Sequence, residues 1–80
     1  MENENIQVVA SFDEGGKFKP TAFKHGQKLY RVRSINLSHS IKRGAIREFI
    51  FNVSDGANNW ILVFNTENLK WQLQSQFIYS

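Results

Sequence analysis

The sequence predicts an all-β domain, a small barrel or a strongly bent antiparallel meander of five to six strands. Apolar residues recur with a period of two along most of the chain, the spacing that places one face of a strand on a core. Turn-forming residues fall between those runs, at Gly15-Gly16, Gly26, Gly44 and Asp55-Gly56. Seven Phe, two Trp and two Tyr supply the large side chains that a small core needs. Eighty residues make one domain, spanning 1–80, near the lower size limit for folding without metal or disulfide support.

The first strand is read from Ile6, Val8, Ala10 and Phe12, which alternate with Gln7, Val9 and Ser11. Gly15-Gly16 ends it, because paired glycines release the backbone into positive φ. A second strand runs from Phe18 to Lys24; Pro20 lacks a ladder N–H and belongs at an edge or at the strand's start. The turn His25-Gly26-Gln27 leads to a third strand through Tyr30 and Val32. There the apolar parity changes, since Ile35 and Leu37 fall on the opposite phase. An extra residue near Arg33–Ser34, a β-bulge, would return both to the core face.

Beyond the turn at Lys42–Ala45, Phe49, Phe51 and Val53 point inward on the next strand. Asp55-Gly56 is a strong hairpin signal. Trp60–Phe64 is apolar on both parities and reads as a central strand covered on both sides. Leu69, Trp71, Leu73, Phe77 and Tyr79 alternate with one break at Ser75. Leu69, Leu73 and Phe77 also fit a helical repeat, but five of six strand positions and three aromatics favour a strand. The expected core is Val8, Phe23, Tyr30, Val32, Phe49, Phe51, Leu62, Phe64, Trp71 and Leu73.

The spacing Pro20-x-x-Phe23-x-x-Gly26-x-x-x-Tyr30-x-Val32 resembles that of a small bacterial β-rich domain of unknown function. That domain occurs alone and appended to the C-terminus of proteins resembling Y-family translesion polymerases. Its pattern is Pro, Phe three residues on, a Gly-centred turn flanked by Arg and Trp, then Tyr-x-Val. Here Gly26 falls one position earlier, Lys24-His25-Gly26-Gln27 replaces Trp-Arg-Gly-Arg, and Trp60 is the first Trp after the Tyr-x-Val strand. The resemblance implies a hairpin in a bacterial β-rich domain and carries over no catalytic residue.

Charge is the most informative feature of the chain. Residues 17–47 hold nine of the ten basic residues and no acid, whereas all seven acids and Lys70 lie outside that segment. The segment is therefore +9 and the remainder −6, within a net charge of +3. An acid-free basic run attracts phosphates by counterion release and long-range steering. The expected contacts to nucleic acid or another polyanion are Lys24, Lys28, Arg31, Arg33, Lys42, Arg43 and Arg47, with Phe18, Phe23 or Tyr30 available to stack bases. The competing reading is a solvated sheet back whose charges are neutralised across strands by Glu48, Asp55 or the acidic first strand. Segregation of charge in sequence is not segregation in space.

Other chemistries find little support. The chain has no cysteine, which excludes disulfides and thiolate zinc sites. His25 and His39 lie 14 positions apart without a metal-ligand pattern, and neighbouring Ser38 and Ser40 point away from His39 on a strand. No enzymatic activity, cofactor or metal is expected. The polar, acidic N-terminus and the lack of a long apolar run lead to the expectation of a cytoplasmic protein with no membrane partner. The reading that follows is a small non-enzymatic binding or adaptor module contacting nucleic acid through a basic face. The alternative is a homo- or hetero-oligomeric interaction module using the C-terminal aromatics and their neighbour: Phe77, Ile78 and Tyr79.

Overall fold

A computed structural model describes the backbone of residues 4–77 and the side chains of residues 4–74. It contains seven antiparallel strands: β1 (Glu4–Phe12), β2 (Phe18–His25), β3 (Lys28–Arg31), β4 (Ser34–Arg43), β5 (Ile46–Ser54), β6 (Asn59–Asn65) and β7 (Lys70–Phe77). They form one sheet in the order β3-β2-β1-β7-β6-β5-β4, curled into a half-barrel. The C-terminal segment is thus strand rather than helix, and it joins the two ends of the chain by pairing with both β1 and β6.

The strand count exceeds the expected five to six because one expected strand is two. The chain leaves β3 at Val32–Arg33 and crosses to the opposite edge of the sheet. Val32 N–H donates to Thr21 O at 3.0 Å, completing the β2–β3 pairing, and the next N–H, from Arg33, donates to Ser54 O at 2.8 Å on β5. The parity change near Arg33 is therefore a hand-over between sheet edges. The bulge lies further on: Ile35 pairs with Val53 but Leu37 with Asn52, leaving Asn36 as the extra residue. Ile35 packs on the core while Leu37 faces outward and is 57% exposed.

The concave face holds the core. Trp60, Phe23, Leu62 and Val53 are fully buried, with Phe51 and Leu73 beside them and Ile6, Val8, Phe18, Tyr30, Val32, Ile35, Phe49 and Trp71 packed around. Burying each large apolar side chain stabilises the fold by roughly 1.5–3 kcal/mol. Trp60, omitted from the expected core, is only 1% exposed. Pro20 is also fully buried, beyond the end of β3, where β2 needs no ladder donor on that side.

Two further expectations are corrected. β6 is interior to the sheet, and among the described residues no second layer lies over its outer face. Val63 there is buried between its register partners Ile50 and Gln72 and stands outside the core cluster. Phe12, on the inward parity of β1, is 66% exposed. Among the described residues β7 pairs with β1 over Glu4–Ile6, so the far end of β1 runs on with β2 as a two-stranded arm.

Candidate nucleic-acid interface

Four shallow depressions lie in series, each sharing a basic residue of its lining with the next. The first, of about 350 Å³, lies between β3 and the β5–β6 turn and is lined by Lys28, Arg31 and Arg33 with Tyr30 and Asp55. Arg33 also lines the second, with Lys19, Pro20 and Ile35. Lys19 continues into the third, with Lys17, Phe18 and Asp13. Lys17 and Phe18 then enter a groove of about 500 Å³, whose other wall is Ser38, His39 and Ser40 over a floor of Phe49 and Phe51. Ser40 Oγ accepts a hydrogen bond from Arg47 Nη1 at 3.3 Å, which brings Arg47, the sixth basic residue of the series, to the groove beside Lys17.

Local structure fixes these residues. Asp13 Oδ1 accepts from the backbone N–H groups of Gly15 and Lys17, both at 2.9 Å, and Gly16 takes φ 85°. This Asx-type turn sets the β1–β2 tip against the groove. The Arg33 side chain lies over Gly56, where a Cβ would come within 3.1 Å of Arg33 Cδ; Gly56 also has φ 100°, a conformation that suits glycine. Lys28 Nζ sits 5.1 Å from the centroid of Tyr30, within cation–π range.

The two acids along this track are engaged with their own turns. Asp13 is held as described. Asp55 Oδ1 accepts from the N–H groups of Ala57 and Asn58 at 2.7 Å, and its Oδ2 accepts from Trp60 Nε1 at 3.0 Å. Burial raises the Asp55 pKa, but the hydrogen bonds from Asn58, Ala57 and Trp60 and the charge of Lys28 outweigh it and hold the carboxyl below the ordinary aspartate value. Among the described residues, Arg43 is the member of the basic run held in an ion pair, with Glu48 at 3.2 Å.

All seven expected contact residues are exposed, yet they do not form one patch. Lys28, Arg31 and Arg33 converge at the first depression. Lys24 instead lines a separate depression with Glu4 and Gly26. Lys42, Arg43 and Arg47 lie on the β4–β5 hairpin at the opposite edge of the sheet, where Lys42 and Arg47 are direct cross-strand partners. Lys17 and Lys19 connect the two edges. They belong to the acid-free run but were not among the expected contacts, because nothing local in the sequence places the β1–β2 tip across from β4.

The expected stacking residues fare unevenly. Phe23 is fully buried and presents no face to a base. Tyr30 is half-buried, stacked on Phe23 and tilted against Trp60. Phe18 lines the groove while its edges meet Phe49, Phe51, Phe64 and Trp71. Exposed Phe12, stacked on Phe18 with centroids 5.2 Å apart, is the aromatic that the alternation pattern had turned inward.

The aromatics of the C-terminal half divide into core residues and the expected interaction residues Phe77 and Tyr79, the latter with Ile78. Phe64 and Trp71 are committed to the concave face, where their rings lie 5.0 Å apart. Ile78 and Tyr79 lie outside the described residues, and Phe77 ends β7 with its side chain outside them. His25 Nε2 lies 3.4 Å from Glu4 Oε1 and its ring meets Trp60 edge-on, whereas His39 is exposed on β4. Among the described residues no three His, Asp or Glu side chains gather as metal ligands.

No family model, curated protein or solved structure matches the chain. Of the positions that carry the family resemblance, Pro20 and Phe23 are buried and Tyr30 and Val32 pack on the core. Gly26 takes φ 64° in the two-residue β2–β3 turn. Each of them has a role in building the hairpin.

Proposed function

We propose that this chain is a small non-enzymatic binding module that holds single-stranded nucleic acid along the open side of its half-barrel. The observation that carries the reading is the sharing of Arg33, Lys19 and Lys17 between successive depressions, which makes a continuous basic path out of residues scattered over 30 positions. The acids on the path, Asp13 and Asp55, are turned into their own loops by backbone donors, and among the described residues neither forms an ion pair with the basic residues beside it. Phe12 supplies an exposed ring stacked on Phe18 of the groove, a π-face of the kind on which single strands stack.

Fluorescence anisotropy with single-stranded and duplex oligonucleotides, repeated across salt concentrations, tests this. Six phosphate contacts predict a log-affinity against log-salt slope of about −4 for a single strand. Reversing Lys19 and Arg33 together to Glu should abolish binding, whereas Lys24→Glu should leave most of it. An affinity that ignores salt, or that survives the double reversal, sinks the reading.

A further inference from the structure

Among the described residues β3 and β4 are the outermost strands of the sheet, and the edges they leave unpaired differ sharply. The β3 edge is four residues long and carries Lys28 and Arg31, charges that discourage pairing. The β4 edge is ten residues long, and its stretch from Ser34 to Ile41 contains neither charge nor proline. Such an edge is a template for another strand unless something covers it.

The register shows which backbone groups this edge offers. Arg43 and Ile46 flank the two-residue turn and form the first hydrogen-bonded pair of the β4–β5 ladder. Alternation from there makes Ile41:Glu48 and His39:Ile50 hydrogen-bonded pairs, and Lys42:Arg47, Ser40:Phe49 and Ser38:Phe51 non-hydrogen-bonded pairs. The direction is corroborated at Arg47, whose carbonyl accepts from Thr66 N–H and Oγ1 on the far side, away from β4. Ser38, Ser40 and Lys42 therefore turn their N–H and C=O groups toward the open edge.

We infer that a second copy of this chain occupies that edge, the two β4 strands pairing antiparallel about a two-fold axis at His39. In that register Ser38 and Ser40 of each copy exchange backbone hydrogen bonds. On the outer face, Leu37 of one copy stands opposite Ile41 of the other, twice over, on either side of a His39–His39 pair. The pairing gives exposed Leu37 an apolar partner. It also suits the charge distribution: Lys42 and Arg43 fall opposite Asn36 and Ile35 of the second copy, so no cation faces its own image. Recentring on Ser40 would set Arg43 against Leu37 and leave Ile41 opposite His39, losing both apolar pairs. The interface is isologous, as a two-fold dimer requires. It rests on the edge geometry, and because Ser38, His39 and Ser40 also line the groove of the nucleic-acid reading, its test is run without nucleic acid.

The absence of cysteine makes the register directly testable. Non-hydrogen-bonded antiparallel partners have Cα atoms about 4.5 Å apart, within the range of a disulfide. In nucleic-acid-free protein under mild oxidation, His39→Cys should form a covalent dimer quickly. Leu37→Cys alone should not, while a mixture of Leu37→Cys with Ile41→Cys should give the mixed dimer. Sedimentation of the unmodified chain should show mass rising with concentration. Ser40→Pro, which removes an N–H that β5 does not use, should hold the protein monomeric with an unchanged circular dichroism spectrum. If His39→Cys cross-links no faster than Ser11→Cys, an exposed position on β1, the inference is overturned. Fast cross-linking of Leu37→Cys by itself overturns it equally.

Discussion

The indole Nε1 of Trp60 donates to Asp55 Oδ2 at 3.0 Å, tying the largest fully buried side chain to the turn between β5 and β6. The other carboxylate oxygen holds the N–H groups of Ala57 and Asn58. One side chain therefore closes the hairpin and satisfies the polar atom of the core's main ring. Asp55→Ala leaves a buried indole N–H without its acceptor, a penalty of about 1–3 kcal/mol, and opens the turn as well. We expect a loss of about 2–3 kcal/mol, read as a lower denaturant midpoint.

The same carboxylate makes stability depend on pH. Its folded pKa lies below the ordinary value, because hydrogen bonds from Asn58, Ala57 and Trp60 and the charge of Lys28 overcome the opposing effect of burial. A depressed carboxyl pKa stabilises the fold at pH above the unfolded value of about 3.9, and the contribution is lost as pH falls through the folded value. Denaturation profiles should therefore fall more steeply below about pH 4 for the unmodified chain than for Asp55→Asn. Parallel profiles would assign the acid sensitivity to other groups.

Phe12 and Phe18 stack on one another but should respond oppositely to truncation. Phe18 meets four further aromatic rings, so Phe18→Ala should destabilise by about 3–5 kcal/mol, enough to unfold a domain this small. Phe12 is mostly exposed, and Phe12→Ala should change stability little while weakening single-strand binding by about 1 kcal/mol or more. A thermal melt and an anisotropy titration on each variant separate the two roles.

Much of the fold was legible because its strands alternate locally and its turns carry their own chemistry. Asp55-Gly56 closed the hairpin it signals, and residues 70–77 are a strand because β6 and β1 both pair with them. What escaped was non-local. A parity change at Arg33 reads alike whether the chain bulges or crosses to another edge, and only the acceptors Thr21 and Ser54 distinguish the two. The exposure of Phe12 follows from how far β7 extends along β1. The basic track likewise depends on curl: the sequence carries nine positive charges, but the half-barrel selects Lys17 and Lys19 to bridge the edges and sets Lys24 apart.

Lys42 and Arg47 stand directly opposite each other on β4 and β5, a like-charged pair that costs the fold some stability. Arg47 turns to Ser40 Oγ, and among the described residues no acid relieves either charge, since nearby Glu48 is taken by Arg43. An unfavourable pair of this kind is expected where a polyanion supplies the missing charge. Lys42→Glu should therefore act in two directions at once. Opposite charges across the strands should stabilise the free protein by about 0.5 kcal/mol, seen as a higher denaturant midpoint. The same change should weaken oligonucleotide binding, because the cation flanking Arg47 is replaced by an anion. A variant that becomes more stable and binds as before would place Lys42 outside the interface and end the track at Ser40.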